Sequence, residues 1–374
     1  MKKYIFYLIL IYCPLSNLLH HFYPISILGF SFWNTFLVVL LIHILLFVSN
    51  IKRNDYLIIF LFCFLYSIIS LIRTYVLYVD FSNSFSNFWY LYLVLIFLIV
   101  VRDFQPSRVV FSNILLGHIL FMGIIGTLFL FGLPTIEIQS AFNQQFLSET
   151  FHRYEGILGA SNGHSNYLAS FFLIFTLISK NKPVLTLLLS SIVFMSILAT
   201  GSRLPMIIFL LTFFFFIYNK AKFIIIPVLL CLYALVQKYS LLDFDYRILN
   251  DGIGDKSRAD KTMLFFDLMS SYFIEILTFG IHPSLLVKNN ISISDNSFTL
   301  IILNSGIFIF LVWIFCVKIV YPNFFINLYR KRVFFVAVLL IFSLNNAILW
   351  LPWVLFVLFF VRFYQSINDM SYEQ

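Results

Sequence analysis

The sequence predicts an all-α polytopic membrane protein, and three observations predict it. Apolar residues make up 61% of the chain, against about half in a soluble domain, so there is too little polar surface to cover a water-soluble fold. These residues fall in runs about as long as a bilayer-crossing helix needs, roughly 20 residues. Lysine and arginine collect in alternate short linkers between the runs. A β-barrel is excluded because the runs are continuous and do not alternate between apolar and polar.

The runs give about twelve transmembrane helices. The first, 4–21, follows Met1-Lys2-Lys3 and resembles the start of a signal peptide. No small-residue cleavage site follows it and further spans do, so it reads as an uncleaved first helix. The second, 27–49, ends before Lys52-Arg53; the third is 56–79; the fourth, 86–101, ends at Arg102. The fifth, 109–132, opens after Arg108, and the sixth, 165–179, stops before Lys180 and Lys182. The seventh, 183–199, runs into the turn Thr200-Gly201-Ser202-Arg203, which starts the eighth, 204–219. The ninth, 223–240, follows Lys220 and Lys222, and the tenth is 297–317. Arg330-Lys331-Arg332 precedes the eleventh, 333–346, and the twelfth is 349–364. Asn345-Asn346 is either a tight turn between these two or a polar spot within one longer helix.

The net charge of +8 does not point to nucleic acid, because the basic residues are distributed by linker. Excess Lys and Arg marks cytoplasmic loops, which puts both termini in the cytoplasm and predicts a multi-pass membrane protein. The four cysteines (Cys13, Cys63, Cys231, Cys316) lie inside apolar runs, with no metal spacing, and read as small apolar filler.

This topology leaves two sizeable segments outside, a first loop over 133–164 and a large charged loop over 241–296. In the large loop, Ser257-Arg258-Ala259-Asp260 has the pattern of a capping box. Apolar residues follow at helical spacing (Phe265, Met269, Tyr272, Phe273, Ile276), and Gly280 is a stop. Arg258, Asp260, Lys261, Asp267 and Glu275 make insertion costly. The segment is therefore expected to be an amphipathic helix on the outer surface, its apolar face on the membrane domain or in the lipid interface.

Arginine stands on the disfavoured side. Arg153, Arg203, Arg247 and Arg258 are external by this topology, and Arg73 lies within the third span. Singly, each reads as a solvated or salt-bridged side chain, and Arg73 as one snorkelling to the interface. Together they point to a shared anionic ligand, because the guanidinium fork donates two hydrogen bonds and keeps its proton. The helix start at Ser257 adds backbone donors that favour an anion. A lipid-linked phosphate or diphosphate fits. In the first loop, Arg153, Tyr154, Glu155 and Gly156 lead to Asn162, His164 and Asn166, a mix of amides, small residues and aromatics of the kind that recognises sugars. Candidates for proton transfer are Glu155, His152, His164, His282 and Asp295. Asp295 beside Asn296 also suits a helix cap, and His282 before Pro283 a turn.

Walker, dinucleotide-binding, HExxH and G-x-S-x-G motifs are missing. Asp243-Phe244-Asp245 has the spacing of a nucleotide-sugar metal pair but reads as chance.

The chain resembles the bacterial O-antigen polymerase and ligase superfamily (Wzy-type polymerases) over roughly residues 151–310. Three pieces carry the resemblance. One is Arg153-Tyr154-Glu155-Gly156 leading to Asn162–Asn166 and a span. A second is Thr200-Gly201-Ser202-Arg203. The third is Arg258, an amphipathic helix, Thr278-Phe279-Gly280, then Asp295-Asn296-Ser297-Phe298 and Gly306. Many members carry His before the Asn, where this chain has Asp295. The resemblance implies a metal-independent glycosyltransferase with no cofactor, acting on undecaprenyl-diphosphate-linked oligosaccharides outside the inner membrane in O-antigen or capsule synthesis. The arginines would hold the diphosphate. The base is Asp295, or His282, or the reaction runs without a dedicated side-chain base. Membrane lipid, a chain-length regulator and a flippase are the partners in view. A ligase transferring glycan to lipid A core, and a non-enzymatic polysaccharide flippase, are the alternatives. A flippase would be expected to show repeat-related halves and several charged spans.

Overall fold

The computed structural model describes residues 2–12, 15, 18–19, 22, 26–27, 30–31, 53–77, 89–102, 107–136, 154, 156, 161–178, 183–213, 263, 266–281, 297–322, 332–344, 357, 360 and 361. Among these the chain is almost entirely helical. The helices are α1 (Lys2–Tyr12), α2 (Arg53–Leu77), α3 (Trp89–Arg102), α4 (Arg108–Leu130), α5 (Ser161–Ile178), α6 (Pro183–Thr200), α7 (Arg203–Thr212), α8 (Phe273–Thr278), α9 (Ser297–Val320) and α10 (Arg332–Leu344). Three stretches, Arg53–Val76, Arg108–Leu130 and Ile301–Val320, are long and apolar enough to cross a bilayer, and Gly163–Ile178 and Val184–Thr200 are shorter apolar helices. The protein is a helical membrane protein. The predicted second span is overturned at its start. Ser26–Ile27 (β1) and Phe30–Ser31 (β2) pair antiparallel, so the backbone is extended where that span was placed from residue 27. The ninth span and the remainder of the second lie outside the described residues, as does most of the twelfth.

Two units form. Lys3–Leu40 with Pro106–Ile253 makes the first, and Leu41–Gln105 with Gly254–Gln374 the second.

In the first unit, α4, α5, α6 and α7 pack together. Close approach of α4 and α6 follows from Gly123 and Gly126, one turn apart. A Cβ on Gly123 would meet Ile192, and one on Gly126 would meet Ser196. Small residues at such spacing let two spans pack backbone to backbone, which substitutes for the hydrophobic driving force that lipid removes. At one end of this unit, the Arg108 guanidinium donates through Nε to the Ile178 carbonyl at 3.0 Å and also through Nη2, capping the last turn of α5. The N-terminal helix is tied on by His118 Nε2, 3.1 Å from the Leu10 carbonyl, and by the Ser107 amide, which donates to the Tyr7 hydroxyl at 2.6 Å.

In the second unit, α2, α3 and α9 pack, with α8 and α10 against α9. Arg102 at the end of α3 makes a two-armed pair with Asp55 at the start of α2, at 2.9 and 2.8 Å, and also reaches the Val320 carbonyl at the end of α9, 3.4 Å away. One guanidinium thus gathers the start of one helix and the ends of two others. α2 therefore runs antiparallel to both neighbours, as consecutive spans must. Arg73 lies farther along α2 by about 27 Å of helix, close to the thickness of a bilayer's hydrocarbon core, about 30 Å. Trp313 Nε1 donates to the Leu91 carbonyl at 3.1 Å and ties α9 to α3 between these levels.

The expected amphipathic helix is present from residue 266, in two pieces. Residues 266–271 are helical, the backbone departs from helical angles at Tyr272 (φ −126°, ψ 40°), and α8 follows. Leu268 and Ile276 pack with Ile281 and Leu303, and Met269 and Tyr272 flank them, whereas Phe273 is 56% exposed. Phe265 and the proposed start at Ser257 lie outside the described residues. Gly280 ends the segment with φ +76°, as a stop glycine does.

The Asp55–Arg102 pair is nearly buried at the carboxylate (5% exposed) and less so at the guanidinium (19%). Removing one partner of a buried pair leaves the other charge uncompensated, at a cost on the order of 3 kcal/mol. We expect Asp55→Leu alone to lower the thermal midpoint in detergent markedly, and Asp55→Leu with Arg102→Met to recover most of the loss. Equal midpoints for the single and double variants would show that the pair is not coupled.

Candidate functional site

The first and second resembling segments meet in the first unit. Tyr154 is fully buried, and its amide donates to the Ala199 carbonyl at 3.2 Å. This bond holds the residue after Arg153 against the last turn of α6. Beyond it the chain turns at Gly201 (φ +59°), whose amide donates to the Leu198 carbonyl at 3.0 Å. Ser202 stands at the cap position of α7 in extended conformation, and Arg203 is the first residue of that helix. The start of a helix is the positive end of its macrodipole, which favours anions.

Tyr154 is held on three sides. Its hydroxyl donates to the Ile136 carbonyl at 3.2 Å. Its ring is tilted on Phe129 at 4.9 Å and meets the His164 ring edge-on at 5.0 Å. Gly156 has φ +69°, and a Cβ there would run into the His164 ring. Glycine is required at that position both for backbone angle and for space.

His164 was expected at the end of the first outer loop and Asn166 in the first turn of the sixth span. The helix starts earlier than that boundary. α5 begins at Ser161, so Asn162, His164 and Asn166 lie in its first turns, and His164 and Asn166 are fully buried. His164 Nε2 is 3.4 Å from Ser196 Oγ, and Ser196 Oγ is 3.5 Å from the Met122 carbonyl. The polar run Gly163-His164-Ser165-Asn166 looked solvated in sequence because its partners come from other helices. Here His164 is a wall on which Tyr154 and Gly156 rest.

In the second unit, Thr278–Ile281 comes against the part of α9 that holds Leu303, Asn304 and Gly306. α9 contains a break: Gly306 has φ +76° and ψ 156° inside an otherwise continuous helix. The stretch Thr278–Ile281 crosses this break. The Ile281 amide donates to the Leu303 carbonyl. A Cβ on Gly280 would lie within 2.6 Å of the Leu303 and Asn304 carbonyl oxygens, and one on Gly306 within 2.5 Å of the Thr278 carbonyl oxygen. Arg73 is wholly buried, and its Nη1 donates to the Asn304 carbonyl at 2.9 Å. It was expected to snorkel or to bind a ligand, and burial excludes snorkelling. Tyr66 and Ser70 share its helix face, and the Tyr66 phenol interacts with the guanidinium.

Arg153, Glu155, Arg247, Arg258, His282, Asp295 and Asn296 lie outside the described residues, although Tyr154, Ile281 and Ser297 beside four of them are placed. Ser297 is fully buried at the first position of α9. Among the described residues no group of His, Cys, Asp or Glu could hold a metal ion. Sequence reasoning did not single out Ser196, Ala199 or Asn304. For Asn304 a signal existed: Asn304-Ser305-Gly306 interrupts an apolar run with a polar pair and a glycine. For Ser196 and Ala199 none did, since each acts through a partner distant in sequence.

No known protein family and no characterised protein matches the chain in sequence.

The anchoring of Tyr154 separates ring from hydroxyl. Tyr154→Phe should cost about 1 kcal/mol, one hydrogen bond. Tyr154→Ala should cost about 3–5 kcal/mol. Thermal unfolding in detergent measures both, and similar losses for the two variants would mean that the ring packing contributes little.

Proposed function

We propose that the protein is a polysaccharide polymerase of the O-antigen polymerase and ligase superfamily, joining undecaprenyl-diphosphate-linked oligosaccharide repeats at the outer face of the bacterial inner membrane. The observation that carries this reading is the Tyr154–Ala199 backbone bond. It sets the Arg153 segment beside the turn that leads into Arg203, so two guanidinium-bearing segments far apart in sequence share one end of one unit. The opposite end of that unit carries Arg108 on the Ile178 carbonyl, and the positive-inside bias assigns the Arg108 end to the cytoplasm. The Tyr154 end is then periplasmic. The same bias assigns Arg102 to the cytoplasmic side and Arg73 to the outer one. The proposed topology is twelve spans with both termini inside, a first periplasmic loop over 133–164 and a large one over 241–296.

In the proposed reaction, a hydroxyl at the non-reducing end of a new lipid-linked repeat attacks the anomeric carbon of the growing glycan. The new glycosidic bond forms as the bond from that carbon to the carrier diphosphate breaks. The hydroxyl proton passes to Asp295, to His282, or to the departing phosphate. Arg153, Arg203 and Arg258 are assigned to the diphosphate, where fixed cations stabilise the charge that develops as it leaves. For Arg203 the helix start adds backbone donors on the same turn. The carrier diphosphate supplies the driving force, so the reaction needs no nucleotide and no metal.

Arg203→Ala and Arg258→Ala should each abolish long glycan while leaving single repeats transferred to the surface, as seen on a glycan ladder. A normal ladder in both variants would remove the diphosphate-holding role. Gene deletion separates the alternatives: one-repeat glycan marks a polymerase, polymer stalled on carrier lipid a ligase, and repeats stranded in the cytoplasm a flippase. For the base, Asp295→Asn should cripple turnover more than Asp295→Glu. Wild-type activity in both would make Asp295 a helix cap only.

A further inference from the structure

We propose that Arg73 is a positioning residue that holds α9 broken at Gly306 and so keeps Ile281 bonded to the Leu303 carbonyl. The geometry of the break requires such a residue. In a continuous helix the carbonyls of Leu303 and Asn304 would accept from the amides four residues on. The positive φ at Gly306 takes both carbonyls out of that register. Leu303 and Asn304 are buried, where an orphaned carbonyl has no bulk water to satisfy it and costs several kcal/mol. The structure supplies one donor for each: the Ile281 amide for Leu303 and Arg73 Nη1 for Asn304. A guanidinium at this point also faces the negative end of the half-helix 297–305, which favours a cation.

The consequence reaches the segment the proposed chemistry uses. Ile281 is bonded at the level of Leu303, and Ser297 is the first residue of α9, about 9 Å away along the helix. In sequence, His282 follows Ile281, and Asp295 stands two residues before Ser297. If α9 straightened, Leu303 would be reclaimed by its own helix, and Ile281 would lose its acceptor. Gly280 and Gly306, each lacking room for a Cβ against the other strand's backbone, are the second half of the same device. Arg73 itself is wholly buried beside Tyr66 and on the Asn304 carbonyl, so it acts through α9 and Ile281. The role in turnover rests on the polymerase reading; the role in holding the break does not.

The experiment uses the full-length protein in nanodiscs, without substrate, and hydrogen–deuterium exchange of peptides covering 273–281 and 297–306. Arg73→Met should speed exchange at Ile281 about tenfold or more, the loss expected when a charge-assisted hydrogen bond is removed from its support. Peptides around Asp55 and Arg102 should be unchanged, which shows that the fold persists. Arg73→Lys, which keeps a cationic donor, should restore most of the protection. Gly306→Ala should reproduce the Arg73→Met pattern. Unchanged exchange at 273–281 in Arg73→Met would overturn the proposal, as would a Lys variant no better than Met. With lipid-linked donor, Arg73→Met should lower kcat about 100-fold, the scale of a displaced reacting group, with KM little altered. A raised KM at constant kcat would instead make Arg73 a direct ligand of the diphosphate and would also overturn the proposal. Absence of any polymerisation by the wild type, with the exchange pattern as expected, would remove the polymerase reading and leave the helix-pinning role standing.

Discussion

Backbone amides and carbonyls at bilayer depth have no water to turn to, and this constraint governs the arrangement of both units. An intact helix satisfies the constraint by itself. Wherever the chain departs from helix, a donor must be imported, and the imported donors are the informative residues. The Asn304 carbonyl takes Arg73, and the Leu303 carbonyl takes the Ile281 amide. The Ile178 carbonyl takes Arg108, and the Ala199 carbonyl takes the Tyr154 amide. Among the described residues arginine does backbone work at three places, at the ends of α5 and α9 and within the break.

The same bonds sort each unit into two ends. In the second unit Arg102 collects the start of α2 and the ends of α3 and α9, while Arg73 and the broken turn lie a bilayer's thickness away. In the first, Arg108 closes the end of α5, and the aromatic wall of Phe129, Tyr154 and His164 stands at the other end. One end of each unit is a plain helical closure. The other is irregular, built from glycines at positive φ and buried polar side chains. Irregular backbone inside a membrane protein is stable only where protein surrounds it or a cavity is lined by it.

Helix existence was legible in the sequence because composition alone forces it. Alternation of basic linkers was legible for the same reason, since it depends on local counts. The amphipathic segment and its stop at Gly280 were also legible, but the departure from helical angles at Tyr272 was not. His164 was misread as a loop residue because four polar residues in a row look solvated until Ser196 and the Met122 carbonyl are placed beside them. Arg73 was legible as an anomaly and not as a cap. Its partner is a main-chain carbonyl hundreds of residues away, and a carbonyl leaves no mark on the residue type that bears it.

The crossing of Thr278–Ile281 over the Gly306 break has a historical consequence. Each glycine there abuts main chain, which cannot be trimmed by a mutation elsewhere. A methyl group gained at either place has no compensating change available at the other. Descendants of this chain can therefore redesign the lipid-facing apolar surface almost freely, yet drift cannot pass through positions 280 and 306 one step at a time. Those two sites are where inheritance of the architecture should be most rigid.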